Sequence, residues 1–127
     1  MGVDVTDDGE RRPGHITRAA FEELVAAAMD AVPEPFSSAL DEVAVVVEEH
    51  APPGMGSLYG LYRGVPLTVG RGFSGQLPAH ITIYMHPMID HFSDAETITE
   101  QVRITVLHEL GHHLGLDEDD LDRLGYA

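Results

Sequence analysis

Apolar residues recur at helical spacing near both ends of this chain and at strand spacing between them. From Thr17, the stretch TRAAFEELVAAAMDAVP puts Phe21, Leu24, Val25 and Met29 on one stripe until Pro33 stops it, which predicts a helix capped by Thr17. EPFSSALDE adds a short helical turn. VAVVVEE, Val43 to Glu49, is β-branched and unbroken, the composition of a buried strand. After the turn-rich HAPPGMG, SLYGLYRG reads as a short strand whose glycines mark a bulge or tight bend. In HITIYMH, His80 to His86, the residues Ile81, Ile83 and Met85 alternate with His80, Thr82 and Tyr84, the period of a half-buried strand.

Between the last two strands, residues 64 to 78 hold four glycines and two prolines and read as a mobile surface loop. After Pro87, MIDHFSD supplies another helical turn. Ser93 or Asp94 then caps a long helix, AETITEQVRITVLHELGHHLG, which Gly115 ends with a left-handed turn. DEDDLDRLG closes the chain as a short helix. The order predicts an α+β domain, a small sheet covered by helices.

At 127 residues the length fits one domain, with residues 1–14 as a flexible polar leader and 15–127 as the folded part. The chain has 22 acidic residues against 7 basic ones, all of them Arg, for a formal charge of -15. That surplus repels phosphate backbones and anionic lipid, so neither nucleic acid nor a membrane is an expected partner. With no apolar run of membrane-spanning length and no basic-then-apolar start, a cytoplasmic location is expected. There is no cysteine, so a soft-metal site must come from histidines and carboxylates.

HELGHHLGLDE, His108 to Glu118, concentrates those groups. His108 and His112 are four residues apart on the long helix and share a face, so two imidazoles can converge on one tetrahedral ion. Glu109 is about 100° from His108 and about 60° from His112 around the helix. It stands beside the ion rather than in its ligand set, where a general base for water belongs. Leu107, Leu110 and Leu114 point to the other side and anchor the helix. Gly115 lets the chain turn back, which brings Glu118 forward as third ligand, with its neighbour Asp117 as the rival. Two histidines and one carboxylate leave the fourth position open, the coordination expected of a catalytic zinc.

HELGHHLGLDE resembles the extended motif of zincin metallopeptidases, H-E-x-x-H-x-x-G-x-x followed by His or Asp. Together with LYGLYRGVPLT, LPAHITIYMHPM and the ending HHLGLDEDDLDRLG, it makes the chain similar to the bacterial minimal zincins from about Thr17 onward. The resemblance implies a minimal zincin-like α+β fold, with a small mixed sheet packed with helices and the motif on an active-site helix. It implies zinc held by His108, His112 and Glu118, with Glu109 as general base acting on a peptide or protein substrate. The chain departs from the Asp-zincin pattern by having Glu at position 118. Only nine residues follow Glu118, too few for the methionine turn beneath the metal of larger metzincins.

His113 points about 100° from His112 and reads as a packing or hydrogen-bonding residue. His80, Tyr84 and His86 share a strand face that is ordinarily solvent-facing. In zincins an edge strand runs beside extended substrate, which makes this strand a candidate cleft rim. Tyr59, Tyr62 and Tyr126 are candidate donors to an oxyanion. The run Asp117 to Asp120 is otherwise a solvated helix start. The expected function is a zinc-dependent endopeptidase; the alternative is a zincin-derived metal-binding or protein-interaction module of weak or no activity.

Overall fold

The structure, a computed structural model, describes residues 16–55, 58–64 and 79–126. Helix α1 spans Arg18–Asp30; the Thr17 side chain caps it by accepting from the Ala20 amide. The buried face of α1 is Phe21, Val25 and Ala28, with Leu24 and Met29 half-buried beside it. A four-residue helix α2, Phe36–Ala39, and a 3-10 turn, Leu40–Glu42, lead to strand β1, Ala44–Glu48. Strands β2, Gly60–Arg63, and β3, His80–Tyr84, follow. The chain then forms α3, Met85–His91, α4, Ala95–His113, and α5, Glu118–Leu124.

The three strands make one mixed sheet in the order β1-β3-β2. β1 runs parallel to β3, from Ala44 opposite His80 to Glu48 opposite Tyr84. β2 runs antiparallel to β3, with Gly60 opposite Ile83 and Arg63 opposite His80. This corrects two expectations. The half-buried strand expected at His80 to His86 is the central strand, and Thr82 and Tyr84 are buried along with Ile81 and Ile83. It is therefore not the rim of a cleft, and residues 85 and 86 already belong to α3. Conversely, the strand expected to be buried lies at an edge of the sheet among the described residues. Ala44, Val46 and Glu48 of β1 are exposed while Val47 faces the core. Composition records affinity for a pleated surface, but which strand is sandwiched depends on pairing partners far away in sequence.

α4 organises the rest. Ile98, Val102, Val106, Leu110 and His113 form a buried stripe at three- and four-residue spacing, widened by Leu107. That stripe packs against α1 and against β2 and β3. Asp94 caps the helix, its carboxylate accepting from the Thr97 amide and hydroxyl, both at 2.9 Å. At the other end Gly115 has φ +85°, the Leu116 amide donates to the Gly111 carbonyl and the Gly115 amide to the His112 carbonyl. This pair of bonds is a Schellman turn, and it requires the left-handed residue that glycine supplies. The loop expected at residues 64 to 78 lies, apart from Gly64, outside the described residues, as does the leader expected at 1–14.

Candidate metal centre

The i, i+4 spacing on α4 brings His108 and His112 together with their Nε2 atoms 3.2 Å apart and their rings 79° from parallel. Both residues are half-buried. The orientation of His108 is fixed from behind. Its Nδ1–H donates to the Tyr126 carbonyl at 2.9 Å, which leaves the Nε2 lone pair directed at the site.

That carbonyl is delivered by α5. The helix begins with a capping box in which Asp117 accepts from the Asp120 amide and Asp120 accepts from the Asp117 amide. Leu121 is fully buried against Gly111, where an added Cβ would come within 2.4 Å of the leucine Cδ2. The missing side chain at Gly111 is what allows α5 to dock this close. Gly125, at φ +84°, ends α5, and the Tyr126 amide donates back to the Leu121 carbonyl.

Docked in this way, α5 places Glu118 Oε2 3.3 Å from His112 Nε2 and 3.5 Å from His108 Nε2. Ligands about 2.0–2.1 Å from a tetrahedral zinc stand roughly 3.3 Å from one another. The three separations of 3.2, 3.3 and 3.5 Å match that edge length, so these residues fit a zinc ion. The Asp117 carboxylate is engaged as the cap of α5.

Glu109 is adjacent and is held separately. Its Oε1 accepts from the Tyr62 amide on β2 at 3.0 Å. A carboxylate oxygen of Glu109 and the two imidazoles also lie within 4.8 Å of one another, so Glu109 is a geometric rival to Glu118 as ligand. The Tyr62 bond and the burial of Glu109 set it apart from the exposed, nearer Glu118. Burial raises the Glu109 carboxyl above its ordinary range, opposed by the two neighbouring imidazoles and the Tyr62 amide. A carboxylate whose pKa is raised accepts a proton more readily than an ordinary one.

β2 approaches α4 closely because position 60 is glycine: a Cβ there would come within 2.6 Å of Thr105 Cγ2 and 3.2 Å of the Thr82 carbonyl. A cleft of about 260 Å³ lies between the start of β2 and α4, lined by Leu58, Tyr59, Gly60, Gln101, Ile104, Thr105, His108, Glu109 and Tyr126. Among the described residues β2, not β3, is the edge strand beside the site.

The remaining candidates are accounted for by their contacts. His113 is buried, with Nδ1 2.9 Å from the Tyr62 hydroxyl and Nε2 3.1 Å from Glu42 Oε1, a hydrogen-bonding residue as expected. The Tyr62 hydroxyl thus faces His113, and burial pushes its pKa up. The Tyr59 hydroxyl is 2.8 Å from His91 Nδ1, and the Tyr126 ring packs edge-on against Phe36. His80 begins the central strand and His86 lies in the first turn of α3, just beyond its end. Two groups that sequence reasoning missed are the Tyr62 amide and the Tyr126 carbonyl. Both are backbone atoms, which carry no residue-type signal; the nearby glycines 60 and 125 are the only local hint.

A family model described as zincin-like metallopeptidase matches residues 40–126. Among solved structures, a conserved hypothetical protein from T. thermophilus is similar, at 35% identity and TM-score 0.54. The match covers 78% of this chain and 94% of that one. No curated protein matches the chain. Among the described residues, no helix is long and apolar enough to cross a membrane.

Proposed function

The chain belongs to the zincin-like metallopeptidase family, and on that premise we propose that it is a zinc-dependent endopeptidase. The observation that carries this reading is the convergence of His108, His112 and Glu118 at tetrahedral edge lengths, with Glu109 beside them bonded to the Tyr62 amide. In the proposal the first three hold the ion. Glu118 rather than Asp117 is the third ligand, because the Asp117 carboxylate is committed to its cap. Zinc held there would supply Lewis acidity toward the scissile carbonyl and bring the acidity of water toward neutral pH.

The protein's own contribution is proton transfer and placement. Glu109 accepts the proton of the attacking water and returns it to the amine that leaves, so the carboxylate ends each turnover unchanged. The Tyr62 amide binds only one of its oxygens, Oε1, and so orients the other for this exchange. β2 is a sheet edge among the described residues, which suits an extended peptide adding beside it as a further strand. The cleft beside Glu109, with Leu58, Ile104 and the two tyrosine rings in its wall, suits an apolar side chain of that peptide. The proposed partner is therefore a peptide or unfolded protein segment.

Glu109→Gln tests the assignment, since it retains shape and the Tyr62 hydrogen bond but removes the base. Zinc content should be unchanged while cleavage of an unbiased peptide library falls by about two to four orders of magnitude. Cleavage at the wild-type rate would remove Glu109 from the mechanism. If zinc-loaded wild type cuts nothing in the library, the metal-binding interaction module is the reading that survives.

A further inference from the structure

Another set of metal-ligating side chains stands where two parallel strands end. β1 and β3 pair in register as far as Glu48 and Tyr84, so the residues that follow leave the sheet side by side. The His86 amide donates to the Glu49 carbonyl at 2.9 Å, which ties the two segments together just beyond the last strand pair. There, ligand atoms of Glu49, His50 and His86 all lie within 4.8 Å of one another. His86 Nε2 is 3.8 Å from Glu49 Oε1, and the His50 and His86 rings stack with centroids 4.4 Å apart and planes 2° from parallel.

We propose that Glu49, His50 and His86 form a second site for a divalent transition metal, separate from the helical one. The donor set decides the class of ion. Two imidazoles and one carboxylate suit zinc, nickel or copper, whereas calcium and magnesium require a shell of oxygens. Assembly of this set demands little from the backbone, because the β1–β3 ladder already fixes the strand ends that carry all three side chains.

One movement is needed. Stacked parallel rings direct their in-plane lone pairs side by side, so one ring must turn for both to reach a common ion. His50 can make that turn: it is exposed, and among the described residues its ring has no hydrogen-bond partner, only the stack on His86. The rival cation is Arg18, whose Nη1 is 3.9 Å from Glu49 Oε2. Its stronger attachments lie elsewhere, from Nε to Glu22 at 3.1 Å and from Nη2 to the Val47 carbonyl. Glu49 Oε1, the oxygen nearer His86, stays available.

Calorimetric titration of the full chain with zinc alone, after chelator stripping, tests this in a background that removes the helical pair. His108→Ala/His112→Ala protein should still take up one equivalent, and the ring-nitrogen resonances of His50 and His86 should move with it. Adding His50→Ala/His86→Ala should abolish that equivalent. Glu49→Gln should weaken it by at least about tenfold, the loss seen even for outer-shell partners of a metal ligand. No uptake by the first variant, or uptake that survives removal of His50 and His86, would overturn the proposal. Should the first variant not fold, His50→Ala/His86→Ala alone gives the same answer. Wild type should then bind one more equivalent than this variant, and equal uptake would refute the second site. Failure of the helical site would appear as no binding by His50→Ala/His86→Ala, a result that leaves the second site standing.

Discussion

The two histidine pairs of this protein differ in how they are held. His108 and His112 share one helix, their rings lie 79° apart, and their Nε2 atoms face each other at 3.2 Å. His50 and His86 come from the segments just beyond the ends of two strands, and their rings lie flat on one another, 2° from parallel. The first pair is set by helical spacing, and His108 is further oriented from behind by the Tyr126 carbonyl. The second has a well-fixed backbone and an exposed ring free to turn. A metal entering the first site would meet two Nε2 atoms already convergent; in the proposed second site it would first have to turn a ring. Preorganisation of this kind separates a site that can position a reaction from one that can only bind.

The strongest test removes the support and leaves the ligands. Leu121→Ala empties the contact that docks α5 on Gly111, and α5 carries both Glu118 and the turn leading to Tyr126. A buried Leu→Ala change costs about 2–5 kcal/mol, and loss of outer-shell support lowers metal affinity about 10–100-fold. Denaturant unfolding should show the stability loss. Zinc titration should show weakening at the helical site and none at Glu49, His50 and His86; equal weakening at both would erase the contrast.

Glu118→Ala comes next. It should reduce zinc affinity at the helical site by about 100-fold, at the upper end of what outer-shell losses cause. Asp117→Ala should lower the melting temperature through its lost cap with a much smaller effect on zinc. The reverse order, measured by competition with a chromophoric chelator, would make Asp117 the ligand.

Gly60→Ala addresses placement of the base. The added methyl would press on Thr105 Cγ2 and the Thr82 carbonyl, pushing β2 from α4 and the Tyr62 amide from Glu109. Overpacking of this kind costs about 1–3 kcal/mol. Peptidase turnover should fall with zinc uptake intact at both sites. Thr105→Ser removes the clashing methyl while keeping a hydroxyl for the Gln101 carbonyl, and in the double variant it should restore part of both losses.

The smallest effect lies at the far end of α4. Bonds from the Thr97 amide and hydroxyl hold the Asp94 carboxyl below its ordinary value near 3.8. Its folded-state pKa is therefore lower than its unfolded one, and in that window the unfolded chain binds the extra proton. The stability that Asp94 contributes is present above about pH 4 and is lost as pH falls through the lowered value. Thermal midpoints of Asp94→Asn should lie slightly below wild type at neutral pH, and the gap should close in acid. A constant gap would mean that the cap does not depend on the charge.

What could be read from the residues themselves was local. The helix from Asp94 to Gly115, its separation into an apolar stripe and a polar histidine face, and the turn at Gly115 all follow from interactions within about four residues along the chain. Period and capping chemistry express those directly. The same locality explains the meeting of His108 and His112. Tertiary structure decided what crosses longer separations: β3 between β1 and β2, β2 beside the site as an edge among the described residues, and the Tyr62 amide on Glu109, 47 residues away. It also brought the Tyr126 carbonyl to His108 across 18 residues and set His50 on His86. Backbone donors and acceptors are the same at every position apart from proline, and pairing between strand ends leaves no periodic trace. Their placement is fixed by the packed core, and only the folded chain contains it.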